Sequence, residues 1–206
     1  MIIKRTANAG VLITLDNVSI LIDGVCDNLH PYIETPTQIR NELETTFPDV
    51  VAFTHTHPDH FNADYCNAYI KKTRRSVIGP AMSISEQIND VCIKAINTRH
   101  IGKTDIDHSS IVIKGSKTIW FMGDASPSEL VKLKSFTIPE VLIIPYAYAL
   151  TPSAIKQTRA IGAKLNVLIH LPNKNDDSFG LWDGVLQNIG NDSSFIIPDV
   201  GQQIEI

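Results

Sequence analysis

The sequence predicts a single α/β domain, and three observations lead there. Short β-rich runs make a hairpin in the first 22 residues, and strand-like and helix-like segments alternate through the second half. No repeat, low-complexity tract or linker-like shift in composition interrupts the 206 residues. At 43% hydrophobic the chain can bury a sizeable core, and its length fits one domain over 1–206.

The opening runs Val11–Leu15 and Val18–Ile22 flank Asp16-Asn17, a pair suited to a tight turn. Asp23 and Gly24 follow. Thr35-Pro36-Thr37-Gln38 then reads as a helix start, with Thr35 as cap, Pro36 in the first helical position and Gln38 closing a capping box. Ile39 and Leu43 share one face at i, i+4. Residues 50–53, all apolar, predict a buried strand, and a helix is expected over residues 62–72. The basic run Lys71-Lys72-Thr73-Arg74-Arg75 falls at that helix's end, where cations favourably meet the dipole on a solvated face.

A strand at 76–78, a helix over 83–89 and a strand at 91–95 are expected next. Residues 111–114 and 118–122 flank Gly115-Ser116 as a hairpin. Residues 141–144 read as a buried strand. Thr151 with Pro152 just inside predicts a capped helix that Gly162 would stop. Residues 167–170 return as a strand.

The chemistry is concentrated in Thr54-His55-Thr56-His57-Pro58-Asp59-His60-Phe61. Three of the chain's seven histidines and a carboxylate fall within six positions, directly after an apolar strand. Neutral imidazole and carboxylate suit zinc and neighbouring divalent metals, and such clustering reads as a site. A polar turn with incidental histidines is the bland alternative.

Composition excludes several classes. A formal net charge of −4, from 18 basic and 22 acidic residues, offers no broad positive field for nucleic acid. Cys26, Cys66 and Cys92 are widely spaced and odd in number, so neither a disulfide framework nor a thiolate zinc site is indicated. No secretory h-region is evident, and no window approaches about 18 continuous apolar residues, so no membrane partner is expected. A reducing cytoplasm is the expected location.

The pattern His-x-His-x-Asp-His resembles that of the metallo-β-lactamase-fold hydrolases. Later residues extend the resemblance in the same order: His108, Asp124 in Phe121-Met122-Gly123-Asp124, and His170 in Val167-Leu168-Ile169-His170-Leu171-Pro172. The resemblance implies a four-layer αββα sandwich, two mixed sheets with helices outside, and ligands on loops at one edge. It further implies two divalent ions, zinc with manganese or iron as alternatives. His55, His57 and His108 would hold one, Asp59, His60 and His170 the other, and Asp124 would bridge them. One tetrahedral ion would leave part of the set idle; two use all of it. Residues 55 and 57 can point one way from an extended segment, while Pro58 redirects Asp59 and His60. Asp59 is then the candidate catalytic residue, taking or relaying a proton.

The expected function is hydrolysis of a small ester, lactone or phosphoester, by analogy with the compact, lactonase-like branch. A small-molecule substrate and a possible homo-oligomeric neighbour are the implied partners. Two other readings stand: a metal-binding or regulatory module without turnover, and an iron redox protein. Against the latter, the flavodiiron relatives carry Glu where His57 stands and add a flavin domain. His100 competes with His108 for third histidine, and His108 is favoured because it stands at a strand entrance. Asp23 reads equally as a turn residue or as a carboxylate beneath the metal loop. His30 reads as a surface turn residue. Tyr146, Tyr148 and Trp182 read as packing, and Asn173, Asn175, Asp176 and Asp177 as a candidate specificity loop.

Overall fold

The computed structural model describes residues 1–80, 84–102, 105–134 and 137–206. Its first sheet takes strands β1 (Ile2–Arg5), β2 (Val11–Leu15), β3 (Val18–Ile22) and β4 (Val50–Ala52) together with β12 (Gln203–Glu205), in the order β12-β1-β2-β3-β4. Only the β3–β4 pairing is parallel. The second sheet contains β5 (Ser85–Ile88), β6 (Val91–Asn97), β7 (Ser109–Lys114), β8 (Thr118–Phe121), β9 (Val141–Pro145), β10 (Leu165–Ile169) and β11 (Phe195–Ile196). They lie side by side in sequence order, antiparallel from β5 to β8 and parallel from β8 to β11.

Three apolar clusters account for four layers. Ile3, Val11, Ile13, Ile20, Ile22, Ile111, Ile113, Phe121 and Ile143 meet between the sheets. Leu21, Val51 and Phe53 turn to the other side of the first sheet. There they pack on α1 (Thr37–Thr45) through Ile39 and Leu43, and on α2 (Ala63–Thr73) through Tyr65 and Tyr69. Trp120, Leu142, Ile144 and Leu168 do the same on the far side of the second sheet. Their partners are α3 (Glu129–Lys134), α4 (Pro152–Ile161) and α5 (Leu181–Ile189). The period-2 alternation of each strand therefore feeds two cores at once. The expected α/β sandwich with helices outside is the observed one.

Local chemistry decided most elements. Asp16 and Asn17 both adopt positive φ, 50° and 62°, which the two-residue turn between β2 and β3 requires. Asn62 caps α2 by accepting from the Tyr65 amide at 2.8 Å, and Arg74 ends it in the left-handed region. Thr151 caps α4 by accepting from the Ala154 amide at 3.3 Å, with Pro152 just inside and Gly162 at φ 80° closing it. Thr151→Ala is expected to cost about 1 kcal/mol, the usual worth of such a cap. Thermal unfolding checks it, and an unchanged midpoint would show the cap contributes nothing.

Three expectations are corrected. The stretch expected as a helix over 83–89 holds strand β5 instead, because Val91 onward folds back on it antiparallel; residue 83 lies outside the described residues. The expected strand at 76–78 is reduced to one bridge, Ile78 to Ala52. Thr35 does not cap α1: the helix begins at Thr37 without a side-chain cap, and the Thr35 hydroxyl accepts from the Cys26 amide at 2.9 Å.

Candidate metal centre

The site forms where both sheets end at one edge. β3 delivers Asp23, β4 runs into the His55–His60 loop, β6 continues to His100, β8 leads to Asp124, and β10 ends at His170. His60 and Phe61 amides both donate to the His57 carbonyl at 3.0 Å, which folds the loop back on itself before α2.

Asp23 fixes this loop. Fully buried, its carboxylate accepts from the Thr54 amide at 2.8 Å, the Thr54 hydroxyl at 2.6 Å and His60 Nδ1 at 2.8 Å. Because the Thr54 hydroxyl spends its proton on Asp23, its oxygen accepts from His55 Nδ1 at 3.0 Å. His100 Nδ1 donates to the Ile101 carbonyl at 2.7 Å. Each of these rings carries its proton on the outward nitrogen and turns Nε2 to the centre, as metal-ligating imidazoles do. Of the two readings of Asp23, the structure supports the carboxylate beneath the loop.

The inward atoms crowd together. His55 Nε2 lies 2.9 Å from His57 Nδ1, and His60 Nε2 lies 2.9 Å from His170 Nε2. Asp59 Oδ2 is 3.2 Å from His170 Nε2 and 3.8 Å from His60 Nε2. Asp124 Oδ2 sits between the groups, 3.6 Å from Nε2 of both His60 and His170 and 3.8 Å from that of His100. Three overlapping triads bring ligand atoms within 4.8 Å of one another: His55-His57-His100, His55-His60-Asp124 and Asp59-His60-His170.

His108 is absent from those triads, and His100 stands in its place. On this geometry His100, and not the favoured His108, groups with His55 and His57. The segment after β6 runs beyond the end of β7, where His100 bridges antiparallel to Ala125 and the Ile101 amide donates to the Asp124 carbonyl at 2.7 Å. His100 is thereby carried to Asp124's side. His108, just before β7, is buried beside His55, ring centroids 5.4 Å apart, with Nδ1 2.8 Å from the Thr98 hydroxyl and Nε2 without a hydrogen-bond partner. Burial holds its pKa down to about 3, so it stays neutral.

Gly123 explains the Gly-Asp pair. Its φ is +54°, and a Cβ there would lie 2.6 Å from Thr54 Cγ2. Only glycine lets the Asp124 turn close onto the histidine loop.

Charge inside the site is balanced between imidazoles and carboxylates. Burial opposes ionisation of Asp124, but His170 and His60 outweigh it and hold the carboxyl well below its usual range. Burial likewise opposes Asp59, which the His170 hydrogen bond and the charge of His60 keep ionised. His60 is raised despite full burial, because Asp124 and Asp23 face it. Burial drives His55 down.

These residues fit a divalent cation. The buried Asp59 Oδ1 and His100 Nε2 have no hydrogen-bond partner, and imidazole nitrogens 2.9 Å apart need a proton or a cation between them. An all-His/Asp set suits zinc, manganese or iron.

Around the centre, Tyr32 meets His170 edge-on with centroids 4.4 Å apart, and its hydroxyl lies 3.2 Å from that of Tyr146. Tyr146 therefore joins the wall of the site. Tyr148 packs as expected, buried and donating to the Ala125 carbonyl at 2.7 Å. Trp182 packs too, its indole donating to the Pro172 carbonyl. Asp177 accepts from the Trp182 amide in the first turn of α5, whereas Asn173 and Asp176 line a cavity of about 240 Å³ with Tyr32 and Leu171. His30 is exposed. A larger cavity of about 890 Å³ lies under α1, lined by Leu12, Leu43 and Phe47, and contains none of the histidines; the chemistry is not there.

No protein-family model matches the chain, and no curated protein matches it. Solved structures do. A possible metal-dependent hydrolase from Veillonella parvula superposes with a TM-score of 0.74 at 16% identity, covering 100% of this chain and 99% of the other. The metallo-β-lactamase fold protein YhfI from Bacillus subtilis superposes at 0.63 with 15% identity, covering 99% and 98%. The chain has the metallo-β-lactamase fold. CmlA, a diiron β-hydroxylase from Streptomyces venezuelae, superposes at 0.65 with 12% identity over 100% of this chain and 54% of that longer one. One fold thus serves proteins of different chemistry, and the site must decide the function. No helix among the described residues is long and apolar enough to cross a membrane.

Proposed function

We propose that this chain is a dinuclear metal-dependent hydrolase of a small ester, lactone or phosphoester. The observation that carries the reading is the pair of triads His55-His57-His100 and Asp59-His60-His170 with Asp124 between them, their inward atoms lacking protein partners or crowded on one another. In this reading each triad holds one cation and Asp124 reaches both. Bound divalent ions supply Lewis acidity and lower the pKa of water towards neutrality.

The chain's own residues do the rest. Asp59 turns Oδ2 to His170 and leaves Oδ1 buried and unpaired, an ionised oxygen able to take a proton from water and pass it to the leaving group. Asp23 and Thr54 hold His55 and His60 in the ligand tautomer. Tyr32 and Tyr146 share one hydrogen bond, so one phenol proton remains to donate to a substrate oxygen. Burial raises the Tyr32 pKa, which keeps that phenol a donor. Zinc is the first choice of metal, with manganese or iron as supply dictates.

The likeness to a diiron β-hydroxylase favours one second reading, an iron redox protein using the same donors. Metal content of purified protein, followed by assays against phosphodiesters, lactones and thioesters, separates the two. Turnover with zinc or manganese supports the hydrolase. Iron retention with redox cycling and no hydrolysis overturns it, and bound metal with neither activity points to a regulatory module.

A further inference from the structure

β1 carries a buried cation. Arg5 is 3% exposed, and its guanidinium donates to four backbone carbonyls: Ala7 and Asn8 from Nε at 3.2 Å, Pro198 from Nη1 at 2.9 Å, and Asn8 and Leu171 from Nη2 at 2.8 Å. Burying a guanidinium is costly, and these carbonyls satisfy it without a carboxylate in hydrogen-bond contact. Burial lowers its pKa only to about 10, so it stays charged.

The carbonyls it gathers surround one residue. Leu171 follows His170 directly. The Asn8 carbonyl, gripped from both Nε and Nη2, also accepts the His170 amide at 3.0 Å. The Asn8 side-chain nitrogen lies 3.3 Å from His170 Nδ1. His170 itself has φ 69°, a left-handed conformation that surroundings must impose on a non-glycine residue. The turn bearing Asn8 is seated in turn on the histidine loop's anchor. Gly10 closes it by accepting from the Thr6 amide at 2.9 Å, and a Cβ on Gly10 would lie 2.2 Å from the Asp23 carbonyl.

We propose that Arg5 and Asn8 form a clamp that positions His170 and thereby sets the affinity of the Asp59-His60-His170 metal position, without either residue touching the metal. Arg5 fixes the backbone on both sides of the ring, and Asn8 fixes the ring's rotation and tautomer. With Asn8 Nδ2 donating to Nδ1, the His170 Nε2 proton faces His60 Nε2 at 2.9 Å and Asp59 Oδ2 at 3.2 Å. With the amide turned over, Oδ1 takes the Nδ1 proton and Nε2 presents its lone pair to a cation. The Nδ1–H to Oδ1 bond orients the ring and raises the basicity of Nε2 in the metal-bound tautomer, so its loss falls mainly on the bound state. Both residues are positioning residues. The inference rests on the dinuclear reading above.

Cobalt(II) titration of the metal-free protein, followed by visible absorption, tests it. Wild type should show two binding steps, which His57→Ala and His170→Ala assign to the two triads. Asn8→Ala, which keeps the backbone carbonyl, should weaken the His170 step about 10–100-fold, the usual effect of losing a partner of a ligand. The His57 step should not move, and the metal-free melting temperature should fall only by the loss of one buried hydrogen bond. Arg5→Lys should weaken the same step if it folds, because an ammonium cannot reach four carbonyls in fixed directions. Equal weakening of both steps, or an Asn8→Ala isotherm like that of wild type, overturns the clamp alone. A wild type that binds no cobalt overturns the metal reading and the clamp with it.

Discussion

Asp59→Ala is expected to lower turnover on a confirmed substrate by more than about 10²–10⁴-fold, the usual worth of a positioned general base, while the fold survives. The loss exceeds that range because the residue has two duties: it closes the Asp59-His60-His170 triad, and it offers the only ionised oxygen in the three triads recorded as buried without a partner. Asp59→Asn separates the duties, keeping a ligand oxygen but no base. In the proposed mechanism Asn should retain more metal than Ala yet be nearly as slow. Near-native turnover in either variant, measured beside metal content and melting temperature, would end the two-metal hydrolase reading. Because the side chain belongs to a surface-edge loop and not to any of the three apolar clusters, the melting temperature of metal-free protein should change little.

Much of this site was legible because its parts are local. Residues 55, 57, 59 and 60 announce themselves by spacing, and Gly123-Asp124 and Ile169-His170 stand at ends of strands that their apolar runs reveal. The four-layer fold followed from the resemblance those residues carry. What was not legible depends on contacts across the chain. Arg5 and Asn8 lie more than 160 positions from His170, and Tyr32 reaches it from the loop after β3; nothing beside them in sequence marks the meeting. Thr54 could have been noticed as the hydroxyl adjoining the cluster, but its bond to Asp23 could not. The β5 segment misled because its Ser, Glu and Gln are as compatible with an exposed helix as with an edge strand, and only pairing with β6 decides.

The choice between His100 and His108 turns on such a non-local fact, and it yields the sharpest result. His100→Ala is expected to weaken the first metal position more than about 100-fold, beyond the loss of an outer partner, because only His55 and His57 remain in that triad. His108→Ala should leave both positions nearly filled. Its cost should instead appear in stability, on the order of 1–3 kcal/mol, since it removes a buried ring and one of the two hydroxyl-side partners of Thr98, leaving Ser110. A strand entrance is a sound reason to expect His108 at the centre, for the other candidate ligands do stand at strand ends. The start of β7, however, is tied to the loop, with the Ser109 amide donating to the Thr54 carbonyl at 2.9 Å, and the preceding His108 ring lies beside His55. The segment after β6 bridges to Ala125 and brings His100 to Asp124 instead. Metal per chain and melting temperature, measured on both variants, decide the matter. Depletion in the His108 variant with a full complement in the His100 variant would reverse the assignment.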